Sequence, residues 1–239
     1  MALGMLTIAI RPADEEHTFG HTKAEYFSSG VEGTLILIAA ISIVYTAIER
    51  LINPQPLEQL GLGLPVSLVA SIANLVVSLI LRKAGKQYNS IALTSNAHHL
   101  MTDVWTSIGV LVGVGLVAIT KWQPLDSIVA ILVACNIIST GYGIIRKSVQ
   151  GLMDGSLSKE DLGKIQEVLN RFEAPEVQFH SLRTRQSGSA KFISFHVLVP
   201  GAWSVSKGHK LVSDIERDME EIIPNSYVIT HLESSDDPV

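Results

Sequence analysis

Apolar residues in this chain come first in long uncharged runs and later in short periodic patterns. Four stretches, 33–48, 59–81, 104–120 and 127–145, contain no charged side chain. With their flanking turns counted, each reaches the roughly 20 residues that a membrane helix needs. Charges mark the ends: Glu49-Arg50 after the first, Arg82-Lys83 after the second, Arg146-Lys147 after the fourth. Pro124 and Asp126 open the fourth as a helix start. Buried core helices of a soluble protein are the competing reading. Four such runs in succession, joined by short links, count against it.

From about residue 158 the pattern changes. Ser158 caps a segment with Leu162, Ile165, Val168, Leu169 and Phe172 at helical spacing. "VQFHSLRTRQSGSAKFISFHVLVPG" alternates around a glycine and reads as a hairpin. "SKGHKLVSDIERDMEEI" is a second amphipathic helix, and "SYVITHLE" a last strand. The order α-β-β-α-β predicts a small α+β domain of ferredoxin-like or metallochaperone-like type, with helices on one sheet face. The expected architecture is therefore a partial membrane α-helical bundle over 1–157 and a cytoplasmic domain over 158–239.

The links orient the bundle. "INPQPLEQLG" has no Lys or Arg and "TKWQP" has one, whereas "RKAGKQYNS" has three. The positive-inside rule puts the basic links and the C-terminal part in the cytoplasm. The segment "RPADEEHTFGHTKAE" then falls on the same side, and residues 1–10 read as the inner end of an earlier span. The chain is expected to begin partway through a helix. "MALGMLTIAI" lacks a basic leader and is no convincing signal peptide.

Composition removes several classes. The chain is 47% hydrophobic and 17% charged, unlike an ordinary soluble protein. A net charge of −5 gives no sign of nucleic-acid binding. One cysteine, Cys135, can form neither an intrachain disulfide nor a cysteine-based metal site. The metal chemistry must come from eight histidines and the carboxylates.

Three constellations stand out. In "AHHLMTD", His99 and Asp103 are four residues apart and share a helix face, so they can hold one cation together. His98 points about 100° away and is the weaker candidate. Ionisable groups at the head of a membrane helix need compensation, which favours ligands over a bare hydrogen bond. Imidazole with carboxylate suits zinc and other first-row divalent ions. The second set is Asp14, His17 and His21. One helix would align all three; Gly20 and Pro12 fit a loop equally well. The third lies in the C-terminal domain. His180 and His196 are equidistant from Gly188. A three-residue turn, Ser187-Gly188-Ser189, places them opposite each other, and a two-residue turn separates them to opposite faces. His231 and Glu233 share a face of the last strand. His209 stands on the intervening helix, where a surface role competes.

The sequence resembles the cation diffusion facilitator family. "RPADEEHTFGHTKAEY" resembles that family's link between its second and third spans, and "AHHLMTD" the fifth-span half of its transport site. "LRTRQSG", "FISFHV" and "VITHLE" resemble its cytoplasmic metal-binding domain. The match runs over residues 1–236. It implies a homodimeric antiporter in the inner cell membrane that moves Zn²⁺, or Cd²⁺, Fe²⁺ or Mn²⁺, out of the cytoplasm in exchange for protons. In that scheme His99 and Asp103 are transport ligands, and Asp14, His17 and His21 form a loop site. His180, His196, His209, His231 and Glu233 form the cytoplasmic cluster, where the metal also regulates. Lys23 and Asp154 would pair at the dimer.

Two departures stand beside the resemblance. Glu233 replaces the aspartate of close relatives. The other transport ligands, on the second span, would lie upstream of Met1, so the chain as written is expected to bind metal without carrying it. A membrane-tethered metal sensor that moves nothing is the alternative. An intramembrane metal hydrolase is disfavoured, because no HExxH motif and no evident general base are present.

Overall fold

The computed structural model describes residues 2–53, 63–88 and 90–236. Its elements are α1 (Ala2–Ala9), α2 (Ala24–Ile52), α3 (Gly63–Gln87), α4 (Ile91–Thr120), α5 (Pro124–Leu152), α6 (Lys159–Phe172), β1 (Gln178–Ser187), β2 (Ala190–Val199), α7 (Val205–Ile222) and β3 (Ser226–Ser234). They form two compact units, Met1–Gln150 and Gly151–Val239.

In the first unit, four helices are long and apolar enough to cross a membrane: Ala24–Ile52, Ser67–Gln87, Ile91–Thr120 and Pro124–Leu152. The start of the predicted 59–81 span and most of the unbasic link before it lie outside the described residues. The helices overrun the uncharged runs. α4 begins at Ile91, not near Val104, and α2 at Ala24, not at Gly33. The reason is local. Ser90 is an extended N-cap whose hydroxyl accepts from the Leu93 amide at 3.3 Å, so helical bonding starts thirteen residues before the uncharged run. Thirty residues rise about 45 Å, more than the roughly 30 Å hydrocarbon layer.

Two contacts fix the bundle. Ser90 Oγ donates to Glu25 Oε2 at 2.7 Å, and the Ala92 amide approaches the same oxygen at 3.4 Å. A buried carboxylate of α2 thus meets the N-terminus of α4, where orphan amides favour negative charge. The starts of α2 and α4 lie side by side, and the two helices run parallel. α2 and α5 meet through small residues. A Cβ added at Gly33 would lie 2.9 Å from Ile145 Cγ1, and one at Gly141 would lie 2.9 Å from Leu37 Cδ2. Close backbone approach of this kind is how membrane helices associate. Ile36, Ala40, Ile137 and Ile144 fill the seam. Outward faces expose Ile38, Ile41, Val69, Ile72 and Leu132, a surface suited to lipid.

The second unit has its own core. Ile165 and Val168 of α6, Ile193, Phe195 and Val197 of β2, and Ile215 and Met219 of α7 are buried together. Lys191, beneath the sheet, pairs with Asp161 at 2.9 Å. The sheet order is β1-β2-β3. β1 and β2 are antiparallel, and β3 returns parallel to β2 after α7. Burial along β2 alternates, with Ile193, Phe195, Val197 and Val199 facing the helices. The other face, carrying His196, is open.

The hairpin differs from both sequence expectations. Ser187 pairs with Ala190, so the turn has two central residues, not three. Gly188 takes the first, at φ +58°, where such turns favour glycine. That register alone would put Val197 opposite His180. A β-bulge between His180 and Arg183, with Ser181 at φ +54°, adds one residue to β1 and returns His180 opposite His196.

Candidate metal centres

The Asp14 set is held by a loop. His17 donates its amide to Asp14 Oδ1 at 2.7 Å, and Gly20 turns the chain at φ +80°. His17 Nδ1 then lies 3.4 Å from Asp14 Oδ1, and His21 Nε2 lies 3.3 Å from Asp14 Oδ2. The two rings are 4.5 Å apart. One ligand atom from each residue falls within 4.8 Å of the others. The His17 amide, followed by the charges of His21 and His17, holds the Asp14 carboxyl below its usual range.

His99 and Asp103 are the ninth and thirteenth residues of α4. They lie about 12 and 18 Å along its axis, well inside the helix and not at its head. Thr102 and Thr106 bond back to the His99 and Asp103 carbonyls at 2.6 and 2.9 Å. His98 turns elsewhere, into a cavity that Ser139, Thr140 and Lys147 of α5 also line. Glu32 of α2 escaped the sequence reading. Its carboxylate faces Ser95 and lies within electrostatic range of His99. It sits one residue before the uncharged 33–48 run, so defining spans by uncharged runs cut it away. Extending the helix back to the charged residue would have found it.

The cytoplasmic set is built on one row of the sheet. His180, His196 and His231 occupy matching positions of β1, β2 and β3. Successive ring centroids are 4.9 and 5.1 Å apart. Glu233, two residues past His231, reaches all three. Its Oε2 is 2.9 Å from His180 Nε2, and its Oε1 is 2.7 Å from His196 Nδ1 and 3.5 Å from His231 Nε2. The Ser181 hydroxyl, on the bulge, lies 3.1 Å from His180 Nδ1 and so turns Nε2 toward the carboxylate. His196 Nδ1 is buried and, despite its 2.7 Å approach to Glu233, makes no hydrogen bond. The two atoms lie close without the alignment of a hydrogen bond. In a tetrahedral zinc site ligand atoms stand about 3.4 Å apart.

His180, His196 and Glu233 form the tightest group, with His231 at its edge. His209, exposed on α7, is not brought into it. A hydrogen bond from His180 is the main cause holding the Glu233 carboxyl below its usual range. Desolvation opposes it, and the charges of His196, His180 and His231 assist. Of the pair expected at the dimer, Lys23 precedes α2 and Asp154 accepts from Arg185 at 3.2 Å within the second unit.

Residues 1–153 match the family model of the cation efflux transmembrane domain, and residues 157–235 that of the cation efflux protein cytoplasmic domain. The class that this defines is a multi-pass membrane transporter of metal cations, with its C-terminal domain in the cytoplasm. The chain belongs to the cation efflux family, the cation diffusion facilitators. An uncharacterized transporter of Synechocystis sp. is 49% identical over 238 residues, which are 100% of this chain and 77% of that protein. The cation-efflux pump FieF of Shewanella oneidensis is 31% identical over 224 residues, 93% of this chain and 75% of the pump. Among solved structures, the metal-bound C-terminal domain of the CzcD transporter from Thermotoga maritima is 28% identical. It covers 35% of this chain and 100% of its own, with a TM-score of 0.31.

Proposed function

We propose that the protein exports Zn²⁺ from the cytoplasm in exchange for protons, working as a homodimer by alternating access. The observation that carries this reading is the His99–Asp103 pair, one turn apart and well inside a 30-residue membrane helix. Imidazole and carboxylate together favour a first-row divalent ion over calcium or magnesium. Both also take up protons, so metal and proton compete for the same atoms. The membrane domain is assigned to 1–157 and the cytoplasmic dimerisation domain to 158–239. Asp14, His17 and His21 act as a cytoplasmic loop site. His180, His196, His231 and Glu233 act as a regulatory metal site. The test is zinc flux into sealed vesicles under an imposed pH gradient, measured on this chain joined to the upstream span that the resemblance implies, with the chain alone run beside it. Flux should follow the gradient and vanish in Asp103→Ala, while the variant stays folded and dimeric. Wild-type flux in that variant would rule the assignment out.

A second reading, a metal-sensing dimer without transport, draws on a specific contrast. The cytoplasmic group gathers three imidazoles around one carboxylate, whereas α4 offers a single pair. Zinc binding without any flux would favour it.

A further inference from the structure

The membrane unit holds a carboxylate that the His99–Asp103 pair does not account for. Glu32 is the ninth residue of α2, as His99 is of α4. The two helices start side by side at the Glu25–Ser90 bond and run parallel. Glu32 and His99 therefore reach about the same depth, roughly 12 Å along each axis. The Glu32 carboxylate faces the Ser95 hydroxyl and lies within electrostatic range of His99.

Three oxygens within about one turn of this level lack a well-formed hydrogen bond. Glu32 Oε2, Ser95 Oγ and Ser28 Oγ are buried, and none makes a well-formed hydrogen bond among the described residues, although the Ser95 hydroxyl is close enough to the Glu32 carboxylate to interact with it. Ser28 is 0% and Ser95 1% exposed. Ser28 and Glu32 are four apart on α2, and Ser95 and His99 four apart on α4, so each pair shares a helix face. Buried polar atoms are normally satisfied, and an ionised carboxylate inside a membrane needs a compensating charge. A cation between the two helices would supply both.

We propose that Glu32 is a divalent-cation ligand of the membrane unit, joining His99 on an ion held between α2 and α4. This rests on the reading of His99 as a membrane ligand. It adds a carboxylate from a second helix to a pair carried by one. The donor set of carboxylate, imidazole and hydroxyl suits a first-row divalent ion.

The test uses the full chain in detergent micelles, with the loop and cytoplasmic groups silenced by His17→Ala, His21→Ala and His196→Ala. Zn²⁺ affinity is then measured by calorimetry in this background. Glu32→Gln keeps the size and the hydrogen bonding but removes the charge. It should weaken binding by at least about 10-fold, a loss seen even for side chains that only support a ligand. Glu32→Asp, which keeps the carboxylate, should retain more affinity than Glu32→Gln. Co²⁺ absorption of the Glu32→Gln protein should also change, because a ligand is altered. Unchanged affinity and an unchanged cobalt spectrum in Glu32→Gln would overturn the proposal and leave Glu32 as a link between helices. If Asp103→Ala loses binding in that case, the His99–Asp103 reading survives. If neither variant loses binding, both fail.

Discussion

His180 stands opposite His196 because β1 carries one residue more than β2 between His180 and Arg183. Ser181 makes this possible at φ +54°, a conformation rare for side chains other than glycine, asparagine and aspartate. Ser181→Val should therefore disfavour the bulge, because a branched Cβ is strained there. Undoing it would carry His180 opposite Val197 and onto the other face. Zinc affinity of the 151–239 unit, measured by calorimetry, should fall by at least about 10-fold. Ser181→Gly should keep the bulge and leave His180 in the group. Its thermal stability should hold or rise, by up to about 1 kcal/mol. Equal zinc affinity in Ser181→Val and the parent would show that the bulge does not set the site.

Glu233 gives a pH prediction. Its carboxyl is held below the ordinary value of 4.5, first by the His180 hydrogen bond. A folded-state pKa below the unfolded one means that its stabilisation is complete above the unfolded value. It is lost as pH falls through the folded value. Carbon NMR of the Glu233 side chain in the metal-free unit should titrate below 4.5. In His180→Ala the midpoint should rise toward that value. A midpoint that ignores His180 would assign the shift to another cause.

The two outer histidines of the second unit should behave differently. His231 lies 3.5 Å from Glu233 Oε1, whereas His209 is exposed on α7 and outside the group. His209→Ala should leave the zinc affinity of the Glu233 group unchanged, and His196→Ala should weaken it by at least about 10-fold. Isothermal titration of the two variants side by side checks this. An equal loss in both would make His209 a ligand.

Periodicity made the architecture legible. Uncharged runs located the membrane helices, and alternation about Gly188 located the hairpin. Helix starts were not legible, because a charged residue within a turn of the cap looks like an end. Glu25 is such a case: it is buried and bonded to Ser90, which no local pattern indicates. Glu32, more than two turns into α2, was lost because it borders the uncharged 33–48 run and reads as its end. The Asp14 loop stayed ambiguous because 3 and 4 spacings also fit a helix, and the Gly20 turn decides it. In the hairpin, symmetry about Gly188 correctly suggested that the histidines meet. The turn length and the bulge are two compensating backbone choices that the alternation alone does not separate.

The last prediction concerns the α2–α5 seam. Gly33 and Gly141 lie where each helix meets the other's side chains, with added Cβ atoms 2.9 Å from Ile145 Cγ1 and Leu37 Cδ2. At Gly33 the Gly141 carbonyl oxygen also lies 3.3 Å from such an atom, so backbone as well as side chain resists. Neither position has a positive φ, so the constraint is room and not backbone conformation. Gly33→Val should force the helices apart and cost about 1–3 kcal/mol, the range of overpacked cores. The expected sign is a lower midpoint in thermal unfolding of the detergent-solubilised chain. Gly143→Val, on the same α5 helix with nothing near its added Cβ, should be close to neutral. Equal midpoints for the two variants would mean that α2 and α5 do not pack through these glycines.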